Sequence, residues 1–450
     1  MAQSAVVRFD VPVTMRDGVK LYADVYLPAA EGKFPVILMR TPYDKSQAFP
    51  RGGGSGGLGL AAVRMGFAIA IQDTRGRYTS DGDFVPFVNE AHDGYDTIEW
   101  LAKQPWSNGK TGMFGGSYVG ATQWLAATTL PPHLTAIAPS VTASDYHEGW
   151  TYQGGAFSLG FNLSWALGPL TARNRDALMR RLGLTPERLE EMIDAVDAMS
   201  PAFRTLPLTE QPYLDRRESA YYFDWLAQER DGPFWRGLCI EDHYSRMTVP
   251  SLNVGGWYDI FLMGTIRNYQ GMRKAAGSPA ARSGTRLVIG PWSHTGLATN
   301  ATGMMDFGQR AGVTGVDLDT LTLEWYERWL MGKGGADASP VKIFVMGDNV
   351  WRDESEWPLA RAQRTRYYLH SNGRANTRRG DGALIAVGPS GERPDSFIYD
   401  PANPVRTGAA RSAARPGPVR CPQALWTSRL RRTGQTCSCT RRRPLAGTSR

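Results

Sequence analysis

Three residues far apart in this chain carry side chains that together can perform nucleophilic acyl transfer: Ser117, Asp259 and His294. A serine hydroxyl is a weak nucleophile. It needs a base to take its proton and a third group to orient that base. Ser117 stands in Met113-Phe114-Gly115-Gly116-Ser117-Tyr118-Val119-Gly120, where a strand-like stretch passes into a helix-like one. A sharp turn at such a junction lifts the hydroxyl clear of the backbone and aims the following amides at an oxyanion. Gly115 and Gly116 remove the Cβ atoms that would crowd it. Asp259 ends the run Leu252-Asn253-Val254-Gly255-Gly256-Trp257-Tyr258-Asp259, and His294 follows Leu287-Val288-Ile289-Gly290-Pro291-Trp292-Ser293. Each alone is a weak signal, since aspartates often cap helices and a lone histidine is usually structural. Their conjunction just past three expected strand ends is specific. His92, His133 and His370 fall on a helix, after a double proline and in a late strand, while His147 and His243 border an aromatic-rich segment and are outside candidates.

The tetrahedral intermediate of such chemistry needs hydrogen-bond donors for its oxyanion. The backbone amide of Tyr118 is the first expected donor. The second belongs to the loop after the strand-like Val36–Met39, which reads Arg40-Thr41-Pro42-Tyr43-Asp44. The Tyr43 phenol is either that donor or an ordinary loop aromatic, and the residues by themselves leave both open.

The elements that must hold these residues follow from periodicity. Val6–Met15 and Val19–Leu27 alternate around Arg16-Asp17-Gly18, a hairpin signal. Short apolar runs recur at Val36–Met39, Phe67–Ile71, Gly112–Phe114, Ala136–Val141, Ser251–Val254 and Arg286–Ile289, as expected for strands buried on both faces of a parallel sheet. Helix-like stretches at Glu90–Lys103 and Tyr118–Leu130 separate several of them. This alternation, with the chain order Ser, Asp, His, predicts an α/β-hydrolase fold with its ligands at the carboxyl ends of the strands. The expected catalytic domain comprises residues 1–144 and 241–335. Residues 145–240, rich in Trp, Tyr and Phe and then helical around Pro186–Ile193, form an inserted helical cap. From 339 to 407 the pattern turns to short strands (Lys342–Met346, Arg366–His370, Ala383–Val387 and Phe397–Tyr399), which read as the start of a β-sandwich too short to close.

Composition, with 42% apolar and 21% charged residues, reads as soluble and globular and holds one trap. The net charge is +8. Residues 408–450 contain ten Arg and no Lys, Asp or Glu, so setting them aside leaves −2 for residues 1–407. The basic character that would suggest nucleic acid therefore belongs to that tail alone. The tail also holds Cys421, Cys437 and Cys439 and shows neither helical nor strand period. It reads as non-native sequence produced by a frameshift near residue 407, a reading that resequencing of the gene tests. Only Cys239 lies in the body, so disulfides are not expected to shape the fold. Gly52–Gly57 lacks the Lys-Ser/Thr ending of a phosphate loop and reads as a flexible connection. No apolar run reaches the roughly 18 residues of a membrane span, and the first residues lack the pattern of a signal peptide. A cytoplasmic location is expected, without nucleic-acid or membrane partners.

One departure from the common elbow G-x-S-x-G is that position 119 is Val and the glycine falls at 120. On this and other segments the chain resembles the cocaine-esterase-type (CocE/NonD) hydrolases, relatives of the Xaa-Pro dipeptidyl-peptidases. Their elbow, G-x-S-Y-x-G, matches Gly115–Gly120. Further matching segments are Arg40–Tyr43, Gln72-Asp73-Thr74-Arg75-Gly76-Arg77, Gly255–Asp259 and Gly290–His294. The resemblance covers about residues 8–407. It implies a Ser117–His294–Asp259 triad, an oxyanion hole made by the Tyr43 hydroxyl and the Tyr118 amide, a helical cap and a C-terminal jelly-roll domain, here incomplete.

One branch of that family hydrolyses α-amino acid esters and holds the substrate ammonium with acids two and three places after the catalytic Asp, and with another in the cap. Phe261 and Leu262 occupy the first two places here, and Trp150-Thr151-Tyr152 lacks the third. A buried ammonium without a partner is costly. Phe261, Trp150 and Trp165 instead resemble the aromatic wall for an uncharged acyl group, with ordinary core packing as the alternative for the tryptophans. The expectation is therefore a serine hydrolase for a small carboxylic ester, needing no cofactor or metal, whose rate falls as acid protonates His294. An Xaa-Pro dipeptidyl-peptidase and an inactive, C-terminally truncated fragment are the competing readings, and the sequence leaves a homodimer open.

Overall fold

Ten strands form one mixed sheet among the described residues of this computed structural model, which are 5–48, 59–214, 216–303, 305–334, 339–377 and 379–400. In chain order they are β1 (Val6–Thr14), β2 (Lys20–Leu27), β3 (Phe34–Thr41), β4 (Ala68–Asp73), β5 (Ser107–Gly116) and β6 (Leu134–Ser140). There follow β7 (Leu252–Tyr258), β8 (Arg286–Ser293), β9 (Val341–Val345) and β10 (Val350–Glu354). They lie side by side as β1-β2-β4-β3-β5-β6-β7-β8-β9-β10. The run from β4 through β9 is parallel, and the hairpin β1–β2 and strand β10 close it with antiparallel pairs. Gly52–Gly57 and the Arg-rich segment 408–450 lie outside the described residues.

The sheet is covered on both faces because its strands alternate between two cores. Val36, Leu38, Ala68, Ala70 and Met113 point into one, with Trp124 and Leu125 of the helix Tyr118–Thr128. Ile37, Met39, Ile69, Ile71 and Phe114 point into the other, with Trp325, Tyr326 and Leu330 of the helix Leu318–Met331. This period of two in doubly buried strands is what makes them read as continuous apolar runs. The helix Leu318–Met331 also approaches closely: a Cβ on Gly112 would lie 2.4 Å from the Tyr326 ring.

Between β6 and β7 the chain leaves the sheet and forms a cap of short helices, including Leu159–Trp165, Pro186–Asp197 and Ala220–Ala227, with a small hairpin at Tyr152–Phe157. Thr185 caps the second of these, accepting a hydrogen bond from the Arg188 amide, with Pro186 at its first position. After Trp165 the backbone widens into a π-type turn over Ala166–Thr171, around Pro169, whose missing N–H cannot continue an ordinary helix.

The expected domain boundary at 339 is displaced. The segment assigned above to the C-terminal sandwich supplies β9, which pairs in parallel with β8 through Leu287–Val341, Val288–Lys342 and Ile289–Ile343. Val341 and Ile343 are buried against Leu287, Ile289 and Tyr269, so the strand's apolar residues are satisfied by the main sheet. A first compact unit runs to Trp357 and a second begins at Pro358. In the second, Tyr368–His370 pairs antiparallel with Ala383–Ile385. Phe397–Tyr399, expected as a strand, has no regular structure and no strand neighbour among the described residues. An extended segment without a pairing partner gains no ladder hydrogen bonds.

Candidate active site

The site is built where three parallel strands end. Ser117 follows β5 directly, His294 follows β8 directly, and Asp259 follows β7 directly. Neighbouring parallel strands deliver their carboxyl ends to one edge, so residues 177 positions apart come together. The His294 Nε2 atom lies 2.9 Å from Ser117 Oγ, and His294 Nδ1 lies 2.8 Å from Asp259 Oδ1. With Nδ1–H donated to the carboxylate, Nε2 is left to accept the serine proton. The imidazole and the Asp259 side chain are buried, at 4% and 0% exposure, which excludes water from the pair and strengthens its electrostatics.

The elbow is held from several sides. Ser117 has φ 60° and ψ −126°, a conformation that costs on the order of 1–3 kcal/mol and persists only when its surroundings enforce it. Its amide donates to the Ser140 carbonyl at 2.9 Å, and its own carbonyl accepts from the amides of Gly120 and Ala121. Gln123, fully buried, donates to the Gly115 and Val119 carbonyls and accepts from the Ala138 amide. Val119 at the position usually held by glycine is accommodated because Gly115, at φ 126°, and Gly120 supply the clearance. A Cβ on Gly115 would meet Val119 at 2.3 Å, and one on Gly120 would meet Thr142 at 2.9 Å.

Tyr118 opens the helix that follows, so its amide is one of the first-turn donors that lack an intrahelical acceptor. Its phenol is anchored behind the elbow, donating to Glu90 Oε1 at 2.7 Å and accepting from the Phe87 amide at 3.0 Å. Glu90 in turn pairs with the fully buried Arg40 at 2.7 Å. Burial pushes the Glu90 carboxyl up, opposed by Arg40. Tyr43 stands across the site, its ring edge-on to Tyr118 at 6.5 Å. Its hydroxyl accepts from the indole Nε1 of Trp165 at 2.9 Å. Burial raises the Tyr43 phenol well above its ordinary value, so it keeps its proton and remains a donor.

The aromatic residues singled out above meet beside the histidine. Phe261 lies edge-on to His294 at 5.0 Å between ring centres and stacks on Trp150 at 4.2 Å. Trp165 crosses Trp150 at 5.4 Å. The other histidines are engaged elsewhere: His92 with Arg16, His133 with Glu99, His147 with the Glu229 carbonyl, and His370 with Glu392. His243 lies in a short turn of helix at 241–246. A cleft of about 620 Å³ beside Tyr78, Asp81 and Arg180 contains none of the residues named for the site. Sequence reasoning missed the Trp165 N–H and the Glu90–Arg40 pair, because neither carried a local sign of its partner, although Arg40 stood in a matching segment. No helix among the described residues is long and apolar enough to cross a membrane.

Comparison with known proteins agrees with this architecture. Cocaine esterase of Rhodococcus sp. (strain MB1 Bresler) is 37% identical over 407 residues, which span 88% of this chain and 68% of that protein. The structure of an α-amino acid ester hydrolase is similar with a TM-score of 0.65 and 26% identity, over 90% of this chain and 67% of the other. An aminopeptidase from a marine sediment Thaumarchaeota archaeon shares the fold, with a TM-score of 0.68 and 23% identity over 90% of this chain and 66% of the other. The chain thus spans about two thirds of the length of these relatives. The profile of the X-Pro dipeptidyl-peptidase (S15) family matches residues 17–296. The chain belongs to that family and is a hydrolase with an α/β-hydrolase fold.

Proposed function

We propose that the protein is a serine esterase that cleaves small carboxylic esters through an acyl-enzyme on Ser117. The single observation that carries this reading is the continuous hydrogen-bonded run Ser117–His294–Asp259 at 2.9 and 2.8 Å. As Ser117 Oγ attacks the ester carbonyl, its proton passes to His294 Nε2, and Asp259 holds the imidazolium that results. The negative charge on the former carbonyl oxygen is met by the Tyr43 hydroxyl and the Tyr118 amide. Collapse returns the proton to the departing alcohol and leaves the acyl group on Ser117. Water, deprotonated by the same imidazole, then releases the acid. Phe261, Trp150 and Trp165 form the wall for an uncharged, apolar or aromatic acyl group. Ser117→Ala is expected to abolish p-nitrophenyl ester hydrolysis in a folded sample, and a fluorophosphonate probe is expected to label Ser117 as mapped by mass spectrometry. Turnover by the alanine variant, or label on another serine, refutes the reading.

The family name favours a second reading, release of Xaa-Pro dipeptides. Against it stands the wall itself. A dipeptide ammonium needs a carboxylate partner, and the groups stacked around Phe261 and Trp150 are aromatic. Turnover of Gly-Pro-p-nitroanilide compared with a benzoate ester separates the two. Esterase chemistry predicts that the benzoate is strongly preferred.

A further inference from the structure

Trp165 is placed above in the acyl wall, yet its only hydrogen-bonding group points elsewhere. The indole is 1% exposed, and its Nε1 lies 2.9 Å from the Tyr43 oxygen, 122 residues away in the chain. A phenol oxygen carries one hydrogen, which lies near the ring plane on one side or the other. An N–H arriving on one side directs the phenolic hydrogen to the opposite side. A hydrogen bond accepted by a hydroxyl also makes that hydroxyl a better donor. The Tyr43 ring stands edge-on to that of Tyr118, the residue after Ser117, at 6.5 Å, so the direction of its hydroxyl matters to whatever forms on that serine.

We propose, resting on the esterase reading above, that Trp165 is a positioning residue of the oxyanion hole, whose indole N–H turns and polarises the Tyr43 hydroxyl. The oxyanion hole is then completed by the cap. A second feature keeps the donor and the phenol in register. Arg77, fully buried, donates through Nε to the carbonyl of Pro42, the residue before Tyr43, at 3.0 Å. Through Nη2 it donates to the Leu170 carbonyl, in the π-type turn that follows Trp165, at 2.7 Å, and it pairs with Glu218 at 3.3 Å. One planar guanidinium therefore ties the Tyr43 loop to the segment bearing Trp165. Its rigid fork suits a strut of this kind.

The test separates orientation of Tyr43 from packing against an acyl group. Trp165→Phe keeps an aromatic ring and removes the N–H. Replacement of Trp165 by 3-benzothienylalanine keeps the bicyclic shape and removes the N–H, which covers the case of a poorly folded Phe variant. Both are assayed on p-nitrophenyl acetate, whose acyl group is too small to need the wall, and on p-nitrophenyl benzoate. The expected result is a loss of about tenfold in kcat on both esters with KM little changed, a partial loss of a donor worth about 10²–10³-fold. Tyr43→Phe should show that larger loss, and adding Trp165→Phe to it should then cost little more, because the two residues act as one unit. A loss confined to the benzoate, an undiminished Trp165→Phe effect in the Tyr43→Phe background, or full kcat with 3-benzothienylalanine overturns the proposal. Full kcat in Tyr43→Phe overturns it too, by removing Tyr43 from the oxyanion hole. Activity in Ser117→Ala removes the serine mechanism itself, so the three failures are distinguishable.

Discussion

At the scale of single residues, the distance that matters most is the one between β7 and β8, the strands that lead directly to Asp259 and His294. Gly256 lies in β7 opposite Gly290 of β8, and a Cβ there would stand 2.2 Å from the Trp292 carbonyl oxygen. That atom is backbone and cannot swing aside. Gly256→Ala must therefore spread the two strands three residues before Asp259 and two before His294. Overpacking of this kind costs about 1–3 kcal/mol, and a displacement of about 1 Å at the site costs about 10²-fold in rate. The variant is expected to melt earlier and to lose at least tenfold in kcat/KM. Gly160→Ala, where nothing lies within 4 Å, should leave both unchanged or slightly raise stability. Equal behaviour of the two variants counts against strand spacing as the determinant. The placement of Ser117, Asp259 and His294 just past strand ends was legible in the sequence, because strand ends are local features. The need for glycine at 256 was half legible, as a motif without a reason. The Trp165–Tyr43 bond had no sequence signal, since a contact across 122 residues is set by how the cap folds back.

At the scale of elements, periodicity gave the hairpin, the parallel strands and the helices Glu90–Ala102 and Tyr118–Thr128, most of them within a few residues of their observed limits, although β5 begins five residues before the expected Gly112. It failed at β9. A five-residue strand flanked by turn residues reads alike in a sandwich and at the edge of a parallel sheet. The choice is made by a partner strand about fifty residues upstream. The loop after β4 shows a different property that only burial reveals. Asp73, at the end of β4, is fully buried, and its carboxylate accepts from the Lys45 amide at 2.8 Å and from the Thr79 hydroxyl at 3.0 Å. Burial nevertheless pushes it up to about 7, with those bonds and the nearby Lys45 charge opposing. An unfolded Asp titrates near 4. Between about 4 and 7 the folded chain holds a proton that the unfolded chain has lost, so this group's contribution to stability is lost as pH rises through that window. The slope is at most about 1.4 kcal/mol per pH unit. Asp73→Asn cannot titrate. Its unfolding free energy relative to the parent protein should therefore rise from pH 5 to 7 and level off above, as read from urea melts at each pH. A difference that stays constant, or falls, would contradict the burial argument.

At the scale of the whole molecule, every residue assigned to the site lies in the unit that ends at Trp357. Among the described residues of the unit that begins at Pro358, several large apolar side chains are exposed: Leu369 is 72% exposed, Val387 70%, Phe397 77%, Ile398 93% and Tyr399 80%. Contiguous exposed apolar groups mark an interface or a liability to aggregate, and a two-stranded pair is only marginally stable alone. Of the short strands expected here, Tyr368–His370 and Ala383–Ile385 form one antiparallel pair among the described residues. Substituting Leu369, Val387, Phe397, Ile398 and Tyr399 together by serine or lysine is expected to lower self-association, measured by light scattering across a concentration series. The fraction of molecules titrated by a fluorophosphonate probe, and the kcat/KM per titrated site, should not fall. The two measurements together discriminate. If association persists, the exposed residues are not its cause. If association falls but titratable sites disappear with it, the second unit is required for the first to hold Ser117 and His294 in reach of each other, and the division of labour argued from the position of the site is wrong. Unchanged turnover per site with less association is the outcome that follows from a catalytic centre whose strands, elbow and cap all precede Pro358.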